Sequence, residues 1–427
     1  MKILILGSGA REHAIGWKLL QSPKAEALFF APGNAGTSAL GENLDLSMTD
    51  DDQLTQFMLD QGIGMLVIGP EAPLVDGLVD RLSAKKELNH LKIIGPTQAG
   101  AQLEGSKAFA KAFMEEQHIP TAAYAQFGSD EQDQALEYIS GMETPIVLKA
   151  DGLAAGKGVL ICHSHEEAKE ECKAMLDGKF GAASAKLVIE EFMDGIEFSV
   201  FVLTDGTHYQ VLPVAKDYKR IGEGDTGLNT GGMGSVSPVP FVDEAMMQKV
   251  KEEVIEPTLD GLQKRGITYK GFIFIGLMNE NGQPKVVEYN CRMGDPETQV
   301  VMSRLDTDLI DLLSACADGT LDSFTVRETQ DHAVCIVLAS GGYPLSYEKG
   351  KSISLHEADE KPAVHIFHAG TRLEEGQLLT HGGRVLSVVG KGTTFAEAKN
   401  AAYEAAEKIS FDRKYFRSDI GFDLDEN

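Results

Sequence analysis

The sequence predicts an α/β protein of several domains, and three observations support this fold class. The 427 residues exceed what one ordinary hydrophobic core holds. The 43% hydrophobic and 24% charged residues are typical of a folded globular protein. Short apolar runs alternate with helical stretches near the N-terminus, which is the pattern of βαβ units around a parallel sheet.

Residues 1–102 are predicted to form this parallel sheet. Four apolar runs, KILIL, ALFF, MLVIG and LKIIG, each lead into a loop that contains Gly or Pro. Ligands of parallel sheets gather at the carboxyl ends of the strands, so GSGAREH, APGNAG, GPEAP and GPT are candidate ligand-binding loops. Their backbone N–H groups and helix N-termini suit a small phosphorylated ligand.

The first of these loops does not match the dinucleotide-binding fingerprint. GSG supplies two glycines of G-x-G-x-x-G, but Glu12 stands at the position of the third. The second strand ends in FAP, without the acidic residue that would hold a ribose. We therefore do not expect a nicotinamide dinucleotide at this sheet.

The stretch KADGLAAGKG resembles a P-loop but departs from that pattern in two places. Three residues, instead of four, separate Gly152 from Gly156, and Lys157 is followed by Gly158 instead of Ser or Thr. The flanking apolar runs PIVL and VLI indicate a β-hairpin with a glycine-rich tip. Such a tip can close over phosphates and open again.

Charge and cysteine content restrict the partners and the compartment. The net charge of −26 argues against nucleic acid or anionic membranes as partners, because both would be repelled. Five cysteines without a C-x-x-C pair favour reduced thiols in a cytoplasmic protein. In the start of the chain, MKILILGSGAREH, the apolar run is too short for a signal peptide or a membrane span.

The segment KVVEYNCRMGDPE is predicted to be a strand with one polar face. Residues two apart face the same side, so Glu288, Asn290 and Arg292 lie together. A carboxylate and an amide oxygen are ligands suited to Mg²⁺, and an arginine can bind a phosphate or carboxylate. The alternative is a solvated strand face. The opposite face would carry Val287, Tyr289 and Cys291.

Two lysines are candidates for binding an anion. Ser106 is the predicted N-cap of the helix KAFAKAFMEEQ, which begins at Lys107. Lys149 ends the apolar run PIVLK, where a buried ammonium without an anion would be costly. Taken singly, each lysine is equally consistent with a solvated surface charge, and KLVIEEFMDGIEFSV with a plain strand, turn and strand.

Motifs along the whole chain together resemble one family. They are GSGAREHA, APGNAG, GPEAPLV, GPT, QLEGSK, KADGLAAGKGV, EEFMDGIE, DTGLNTGGMG, VVEYNCRMGDPETQ, ASGGYP, FHAGT and GGRVLSV. The chain is similar over its full length to the glycinamide ribonucleotide synthetase family of the ATP-grasp superfamily. NCRMGDPETQ is close to that family's own signature.

The resemblance implies a multidomain ATP-grasp architecture of the α/β class. Residues 1–102 would form an N-terminal parallel-sheet domain that binds phosphoribosylamine. Residues 103–120 and 191–325 would form the central ATP-grasp domain, with residues 121–190 as a small mobile flap domain over the ATP phosphates. Residues 326–427 would form a C-terminal α+β domain.

The implied activity is ATP-dependent ligation of glycine to 5-phosphoribosylamine through a glycyl phosphate, in the second step of de novo purine (IMP) biosynthesis. The products would be glycinamide ribonucleotide, ADP and phosphate, with ATP as co-substrate and Mg²⁺ or Mn²⁺ as cofactor. A monomer is expected, and a dimer is not excluded. Two alternatives stay open: another ATP-grasp reaction such as carboxylation with bicarbonate, and a non-catalytic nucleotide-binding regulator.

The resemblance also implies a residue set for each part of the site. For ATP, the residues that would contact the phosphates are Lys107, Lys149, Gly156, Lys157 and Gly158. The residues that would line the adenine, mostly by backbone, are Glu190, Glu191, Phe192 and Met193. Glu197 would bind the ribose. The metal ligands would be Glu288 and Asn290.

The implied catalytic residues are Arg292, Asp295, Lys219 and Asn229. The other substrate-binding residues would be Gly9, Arg11, Asn34, Gly69, Pro70, Glu71, Arg220, Thr230, Gly231, Gly232, Met233, Gly234 and Glu297. Backbone N–H groups of the GGMG loop would be available to a tetrahedral oxyanion.

Three departures from the family pattern are present. The run GFIFIGLM lacks the additional metal-binding acid of many ATP-grasp relatives, so a fully ligated second magnesium is not expected. Ala10 stands where a third glycine is more usual, and Leu228 where proline is usual. Both substitutions are expected to be tolerated, with Ala10 altering the loop geometry near the amine substrate.

Overall fold

The computed structural model describes residues 1–152, 158–181, 186–356, 358 and 362–424. Within these residues the chain forms four sheets of four to six strands and two separate two-stranded ribbons. None of the described helices is long and apolar enough to cross a membrane.

The N-terminal sheet is parallel throughout, as the apolar runs predicted, with the strand order β3-β2-β1-β4-β5. Its strands are β1 (Lys2–Gly7), β2 (Ala27–Pro32), β3 (Glu42–Asn43), β4 (Met65–Ile68) and β5 (Lys92–Ile94). Its helices are α1 (Ala10–Leu19), α2 (Asp51–Gln61), α3 (Glu71–Val75), α4 (Leu78–Ser83) and α5 (Gln98–Gly105).

Helix α6 (Lys107–Glu116) follows and begins where the sequence predicted. The side chain of Ser106 accepts a hydrogen bond from the backbone N–H of Phe109, which satisfies one of the donors left free at a helix start. The helix buries an apolar stripe that includes Phe113 and Met114. Lys107 is thereby fixed in the first turn, at the edge of the candidate site.

A small sheet with the order β6-β9-β7-β8 comes next. Its elements are β6 (Tyr124–Gly128), α7 (Gln132–Ser140), β7 (Ile146–Ala150), β8 (Val159–Cys162), α8 (His165–Leu176) and β9 (Lys186–Glu191). Strands β7 and β8 pair antiparallel, so the predicted hairpin is confirmed. The tip itself, with Gly156 and Lys157, lies outside the described residues.

The central sheet is antiparallel, with the order β11-β10-β16-β17. The elements of this part of the chain are β10 (Ile196–Thr204), β11 (Tyr209–Val211), β12 (Lys216–Asp217), β13 (Arg220–Gly222), β14 (Thr226–Asn229), β15 (Gly234–Ser237), α9 (Glu244–Val250), α10 (Glu256–Lys264), β16 (Gly271–Glu280) and β17 (Gln283–Asn290). Residues Lys251–Ile255 form a π-helical turn between α9 and α10.

The prediction that Val287 lies on the apolar face of β17 is wrong. The pairing of β16 with β17 shifts by one residue between Val286 and Glu288. Such a bulge interrupts the alternation of side chains. Val286 instead of Val287 therefore lies in the hydrophobic core with Tyr289 and Cys291.

The last sheet joins distant parts of the chain in the order β12-β15-β18-β22-β19, with β23 also paired to β18. The elements after β17 are α11 (Glu297–Arg304), α12 (Leu309–Asp318), β18 (His332–Ser340), β19 (Val364–His368), β20 (Thr371–Glu374), β21 (Gln377–Thr380), β22 (Arg384–Gly392), α13 (Phe395–Lys408) and β23 (Lys414–Tyr415). Strands β12 and β15 thus connect the central segment to the C-terminal sheet by backbone hydrogen bonds.

Helix α1 packs against β19 through a cluster of aromatic rings. The Nδ1 atom of His13 accepts a hydrogen bond of 2.8 Å from the backbone N–H of His368, and its ring lies edge-on to Phe367. The Trp17 and His365 ring centroids are 4.5 Å apart. Burial, together with the nearby His368, lowers the pKa of His13 to about 3, and burial beside a lysine lowers the pKa of His365 to about 4.

We predict that His13 and His365 destabilise the folded protein as the pH falls from 7.5 to 5.5. The unfolded chain protonates His13 and His365 near pH 6.5, whereas the folded protein keeps both neutral, so the unfolded state binds more protons below that pH. Each histidine lowers the free energy of unfolding by about 1.4 kcal/mol per pH unit well below 6.5. Urea denaturation at several pH values measures the slope, which His13→Gln should reduce; an unchanged slope would contradict the assignment.

Candidate active site

The polar face of β17 lies at the centre of the candidate site. One Glu288 carboxylate oxygen is 3.8 Å from the Lys219 Nζ atom. Burial raises the pKa of Glu288, but Lys219, Lys149 and Lys107 together outweigh burial, so the pKa is lowered. Glu288 is therefore ionised at neutral pH, with cations from three different parts of the chain around it.

Glu104, at the end of α5, binds the residues at the end of β17 and just after it. It was not among the residues predicted from the sequence. Its carboxylate accepts hydrogen bonds from Asn290 Nδ2 at 3.3 Å, from the backbone N–H of Cys291 at 2.9 Å and from Arg292 Nη2 at 2.6 Å. Arg292 Nε also lies 3.5 Å from a Glu71 carboxylate oxygen. The only signal in the sequence was the motif QLEGSK.

Lys149 already has an anionic partner within the protein. Its Nζ atom is 2.8 Å from Glu190 Oε2 and donates to the Val287 carbonyl oxygen at 3.2 Å. Lys111, one helical turn after Lys107 and also missed, lies 3.2 Å from the same Glu190 oxygen. Because all three charged side chains are at most 8% exposed, the Glu190 carboxylate forms a buried ion pair with both lysines.

Five more of the predicted nucleotide residues are described by the structure: Lys107, Gly158, Glu191, Phe192 and Met193. Lys107 donates from Nζ to the Gly152 carbonyl oxygen at 3.0 Å, at the base of the hairpin tip. Gly158 closes the other side of the hairpin, since its carbonyl oxygen accepts from the Ala150 N–H at 2.8 Å. Glu191, the last residue of β9, is exposed; after it, Phe192 is 39% exposed and Met193 is buried.

Lys219 is surrounded by carboxylates. It hydrogen-bonds Glu197, which the sequence analysis assigned to the ribose, and lies 4.0 Å from Asp217. Burial raises the pKa of Asp217 to about 6. Burial and the Asp217 charge raise the pKa of Glu297 to about 8, and this carboxyl group also lies 3.4 Å from Ser199 Oγ. Asp217 and Ser199 were not predicted from the sequence.

The GGMG loop is held from both sides. Arg384 Nη1 donates to the Gly231 carbonyl oxygen at 2.6 Å. Gly232 has φ +110, where a side chain would be strained and would collide with the ring of Pro296. The N–H groups of Gly231, Gly232 and Met233 donate to Tyr343 Oη, Thr230 Oγ1 and the Tyr218 carbonyl oxygen.

These bonds overturn the expectation that the N–H groups of Gly231, Gly232 and Met233 are available to an oxyanion. The N–H of Gly231, of Gly232 and of Met233 each has a partner within the protein. Gly234 already belongs to β15, which pairs with β18. The tight backbone path that this loop follows past Pro296 requires those internal bonds.

The N-terminal loops are also tied together internally. Glu12 stands where the dinucleotide-binding fingerprint has its third glycine. Its carboxylate accepts hydrogen bonds from the Gly9 N–H and from Arg11 Nε, each at 2.6 Å. Asn34 Nδ2 donates to the carbonyl oxygens of Ser8 and His368. Next to β4, Gly69 packs against Glu12, Pro70 is the N-cap of α3 and Glu71 lies in its first turn.

A cleft of about 670 Å³ separates these loops from the C-terminal sheet. Asp295 lies between the two sides, 3.4 Å from Arg384 Nη2, with Oδ1 accepting from Gln299 Nε2. The residues on the C-terminal side were not predicted as site residues, although several of them belong to the motifs ASGGYP, FHAGT and GGRVLSV. They are Tyr343, Ala369, Gly370, Thr371, Arg372, Leu373, His381 and Arg384.

The donor set at β17 suits a magnesium-type ion that keeps water and phosphate ligands. Asn290 donates from Nδ2 to Glu104, so this bond engages its amide nitrogen and not the amide oxygen that a hard cation would need. Among the described residues, no group of three or more His, Cys, Asp or Glu side chains is arranged as a metal site. A hard cation here would therefore have one carboxylate and one amide oxygen from the protein.

Comparison with known structures assigns the fold to the ATP-grasp enzymes. A crystal structure of phosphoribosylamine–glycine ligase from Thermotoga maritima matches with a TM-score of 0.84 and 37% identity, covering 98% of this chain and 100% of that chain. The biotin carboxylase domain of the Hydrogenobacter thermophilus 2-oxoglutarate carboxylase matches with a TM-score of 0.71 at 15% identity, over 97% and 91% of the two chains. The second match shows a shared fold only.

Sequence comparison identifies the family within this class. Models of the phosphoribosylglycinamide synthetase N domain, ATP-grasp (A) domain and C domain match residues 1–104, 105–298 and 333–423. The phosphoribosylamine–glycine ligase of Vibrio parahaemolyticus is 48% identical over 426 residues, 99% of this chain and 98% of its own. That of Neisseria meningitidis is 48% identical over 423 residues, 98% of each chain. The chain belongs to the phosphoribosylglycinamide synthetase family.

We predict that Glu190→Gln destabilises the folded protein by on the order of 3 kcal/mol, because it leaves two buried ammonium groups facing a neutral amide. The matched control is Glu191→Gln, since Glu191 is exposed and only accepts a hydrogen bond from Ala123 N–H. Chemical denaturation at pH 7 compares the two variants. Equal losses of unfolding free energy would contradict the role of the pair formed by Glu190 with Lys111 and Lys149.

Proposed function

We propose that this chain catalyses the ATP-dependent ligation of glycine to 5-phosphoribosylamine, giving glycinamide ribonucleotide, ADP and phosphate. One observation carries the proposal within the family. The strand end at Glu288, Asn290 and Arg292 has the lysines of the nucleotide site beside it, and Arg292 contacts Glu71 of the N-terminal domain. A phosphoryl donor and an amine from the N-terminal side can therefore meet at one carboxylate substrate.

The chemistry requires two displacements. A carboxylate does not react with an amine at neutral pH, because oxide would have to leave. A glycine carboxylate oxygen therefore attacks the γ-phosphorus of ATP, the bond to the ADP oxygen breaks, and glycyl phosphate forms. The amine nitrogen then attacks the carbonyl carbon, phosphate leaves with the electrons of the C–O bond, and the nitrogen loses a proton.

At the nucleotide end, Lys107 and Lys149 neutralise phosphate charge in the proposal. Gly158, just before the return strand β8, and Gly156 and Lys157, which lie outside the described residues, are proposed to bind the triphosphate. Glu190 to Met193 line the adenine, and Glu197 binds the ribose. Closing this hairpin excludes water, which protects a hydrolysable acyl phosphate.

At the metal position, Glu288 and Asn290 would hold Mg²⁺ or Mn²⁺. ATP-grasp enzymes use ATP with a divalent metal, and the oxygen donors of these two side chains suit such an ion. When bound, the ion supplies charge neutralisation for the triphosphate oxygens. The remaining neutralisation comes from Lys107, Lys149 and Lys219 of the chain itself.

At the glycine end, Arg292 and Lys219 orient the carboxylate in the proposal, with Asn229, Arg220, Thr230 and the 231–234 loop closing the pocket. Burial raises the pKa of Asp295, but Arg384 and Arg11 outweigh it and hold the pKa below its ordinary value. Asp295 is therefore an ionised carboxylate at the cleft. We assign it the proton that the attacking amine releases, with Glu297 beside it.

At the amine end, the cleft receives phosphoribosylamine. Gly9, Arg11, Asn34, Gly69, Pro70 and Glu71 contribute the N-terminal wall in the proposal. The opposite wall offers Arg372, a cationic side chain that is 44% exposed and lies 2.8 Å from a Glu374 carboxylate oxygen. His381 lies on the same wall as a neutral ring, because burial, Lys349 and Arg372 lower its pKa, so the charge that attracts an anion is that of Arg372. A 5-phosphate dianion would be attracted to this wall.

The first test is Glu288→Gln, which we expect to reduce turnover at least 100-fold, because the amide removes the charge of a proposed metal ligand. Because three lysines lower the pKa of Glu288, the variant should also lose some stability, so turnover is measured at a temperature where it remains folded. The measurement is ADP release that depends on both glycine and phosphoribosylamine. The control is Glu280→Gln, at the other end of the β16–β17 ribbon, with near-normal turnover expected.

The same assay addresses the alternative carboxylation activity. ADP release with bicarbonate and without glycine in the unaltered protein would reject the proposed function. Amide product formed from freshly generated phosphoribosylamine, glycine and Mg-ATP would support it. Wild-type turnover in the Glu288→Gln variant would reject the assigned role of that residue alone.

The second test is Arg372→Ala, which we expect to raise KM for phosphoribosylamine about tenfold by removing a charge that binds the phosphate. KM for glycine and for ATP should stay unchanged. Arg327→Ala serves as control, because its side chain is 71% exposed and Arg327 does not line the cleft. Equal KM changes for all three substrates would contradict binding of the phosphate at this wall.

A further inference from the structure

We propose that Arg417, in the C-terminal segment, is a positioning residue for the hairpin that connects Lys219 to Asn229. This inference rests on the proposed function, which places those two residues at the glycine pocket. We call residues 220–229, which comprise β13, the intervening turn and β14, the substrate hairpin. Arg417 is separated from it by almost 200 positions in the chain.

The substrate hairpin has little support of its own. Strands β13 and β14 form a separate two-stranded ribbon among the described sheets. Residues 223–228 are exposed, including Leu228 at 50%. Two-stranded ribbons are marginally stable alone, and exposed backbone hydrogen bonds open easily. The fixed position of this ribbon therefore requires contacts from elsewhere.

Arg417 supplies contacts along the hairpin. Its side chain is completely buried, and Nη1 donates to the Arg220 carbonyl oxygen at 3.1 Å and to Asp225 Oδ1 at 2.6 Å. Nε and Nη2 donate to the two oxygens of Asp419, each at 2.8 Å. Asp419 Oδ2 in turn accepts from the Gly224 N–H at 2.6 Å.

The turn of the substrate hairpin has a strained backbone, and the ion pair between Arg417 and Asp225 offsets this strain. Asp225 has φ +53, in the left-handed region that a non-glycine residue seldom adopts. Its carboxylate pairs with Arg417 at 2.6 Å. The ion pair holds the turn in a conformation that the isolated hairpin would leave.

The guanidinium is itself held in place. It lies over the rings of Tyr218 at 5.5 Å and Phe422 at 5.9 Å, and Tyr218 Oη donates to Asp423 at 2.7 Å. Tyr218 directly precedes Lys219. Tyr415 adds a second attachment, since its Oη donates to the Ile221 carbonyl oxygen at 2.6 Å.

The open end of the substrate hairpin is bonded to Lys219, so the position of the hairpin fixes that of Lys219 at the proposed glycine pocket. The Thr230 N–H and Oγ1 both donate to the Lys219 carbonyl oxygen at 2.8 Å. Lys219 in turn lies against Glu197 and Glu288. Every nitrogen of the Arg417 guanidinium is engaged with Arg220, Asp225 or Asp419, so Arg417 acts through the hairpin and not on a substrate.

The test compares Arg417→Met, Arg417→Lys and Tyr415→Phe in the full-length protein. For Arg417→Met we expect amide exchange of residues 220–229 to accelerate at least tenfold and kcat to fall about tenfold. ATP affinity, measured by titration, should change less than kcat, because Lys107, Lys149 and Glu190 are untouched, although Glu197 contacts Lys219. Arg417→Lys should retain part of kcat, and Tyr415→Phe should show the same changes at smaller size.

The matched control is Lys414→Met. Lys414 donates to carbonyl oxygens at the end of α13, including Ala406 at 2.8 Å, so its loss weakens the C-terminal domain without touching the hairpin. We expect a lower melting temperature with normal hairpin exchange and normal kcat. The same result for Arg417→Met would overturn the proposal and leave Arg417 a purely structural residue.

The two proposals fail separately. If the unaltered protein forms no amide product from glycine and phosphoribosylamine, the proposed function fails, whatever the hairpin does. If it turns over, and Arg417→Met or Tyr415→Phe accelerates exchange at 220–229 without changing kcat, the positioning role fails alone. Should Arg417→Met not fold, Tyr415→Phe decides, because it removes one hydroxyl and leaves the buried ion pairs intact.

Discussion

Mutual neutralisation of buried charges is the interaction on which the candidate site depends. Glu190 lies between Lys111 and Lys149, and Glu104 holds Arg292, each at most 8% exposed except Arg292 at 19%. A charge without a partner in such surroundings would cost several kcal/mol. The helix α6, the small sheet and the strand β17 are therefore held together at the point where their charged side chains meet.

The ion pairs of Lys219 are the contacts in the site that a bound ligand would rearrange. Lys219 lies against Glu197, Asp217 and Glu288, so the carboxylates proposed for ribose and metal are occupied by a protein cation. A divalent ion and a triphosphate would redistribute these contacts, with Lys219 moving toward the anionic substrates in the proposal. The hairpin that begins after Lys219 then matters, because it sets how far this side chain can move.

The family resemblance drawn from the motifs is confirmed, and so are the α/β multidomain ATP-grasp fold and the assignment as a ligase. The individual site residues, domain limits, oligomeric state and cytoplasmic location stay predictions. The structure brings Glu288, Asn290, Arg292 and Lys219 together. It corrects two expectations, since Val287 lies off the core face and the GGMG loop uses its N–H groups internally.

The sequence by itself determined the parallel N-terminal sheet, the Ser106 cap, the β7–β8 hairpin and the polar face of β17, because these follow from local periodicity and turn chemistry. Only the tertiary structure decided which charges pair. Glu104 with Arg292, Glu190 with Lys111 and Arg417 with Asp225 join residues 79 to 192 positions apart. Local patterns carry no information on such pairs, since they depend on how separate sheets pack.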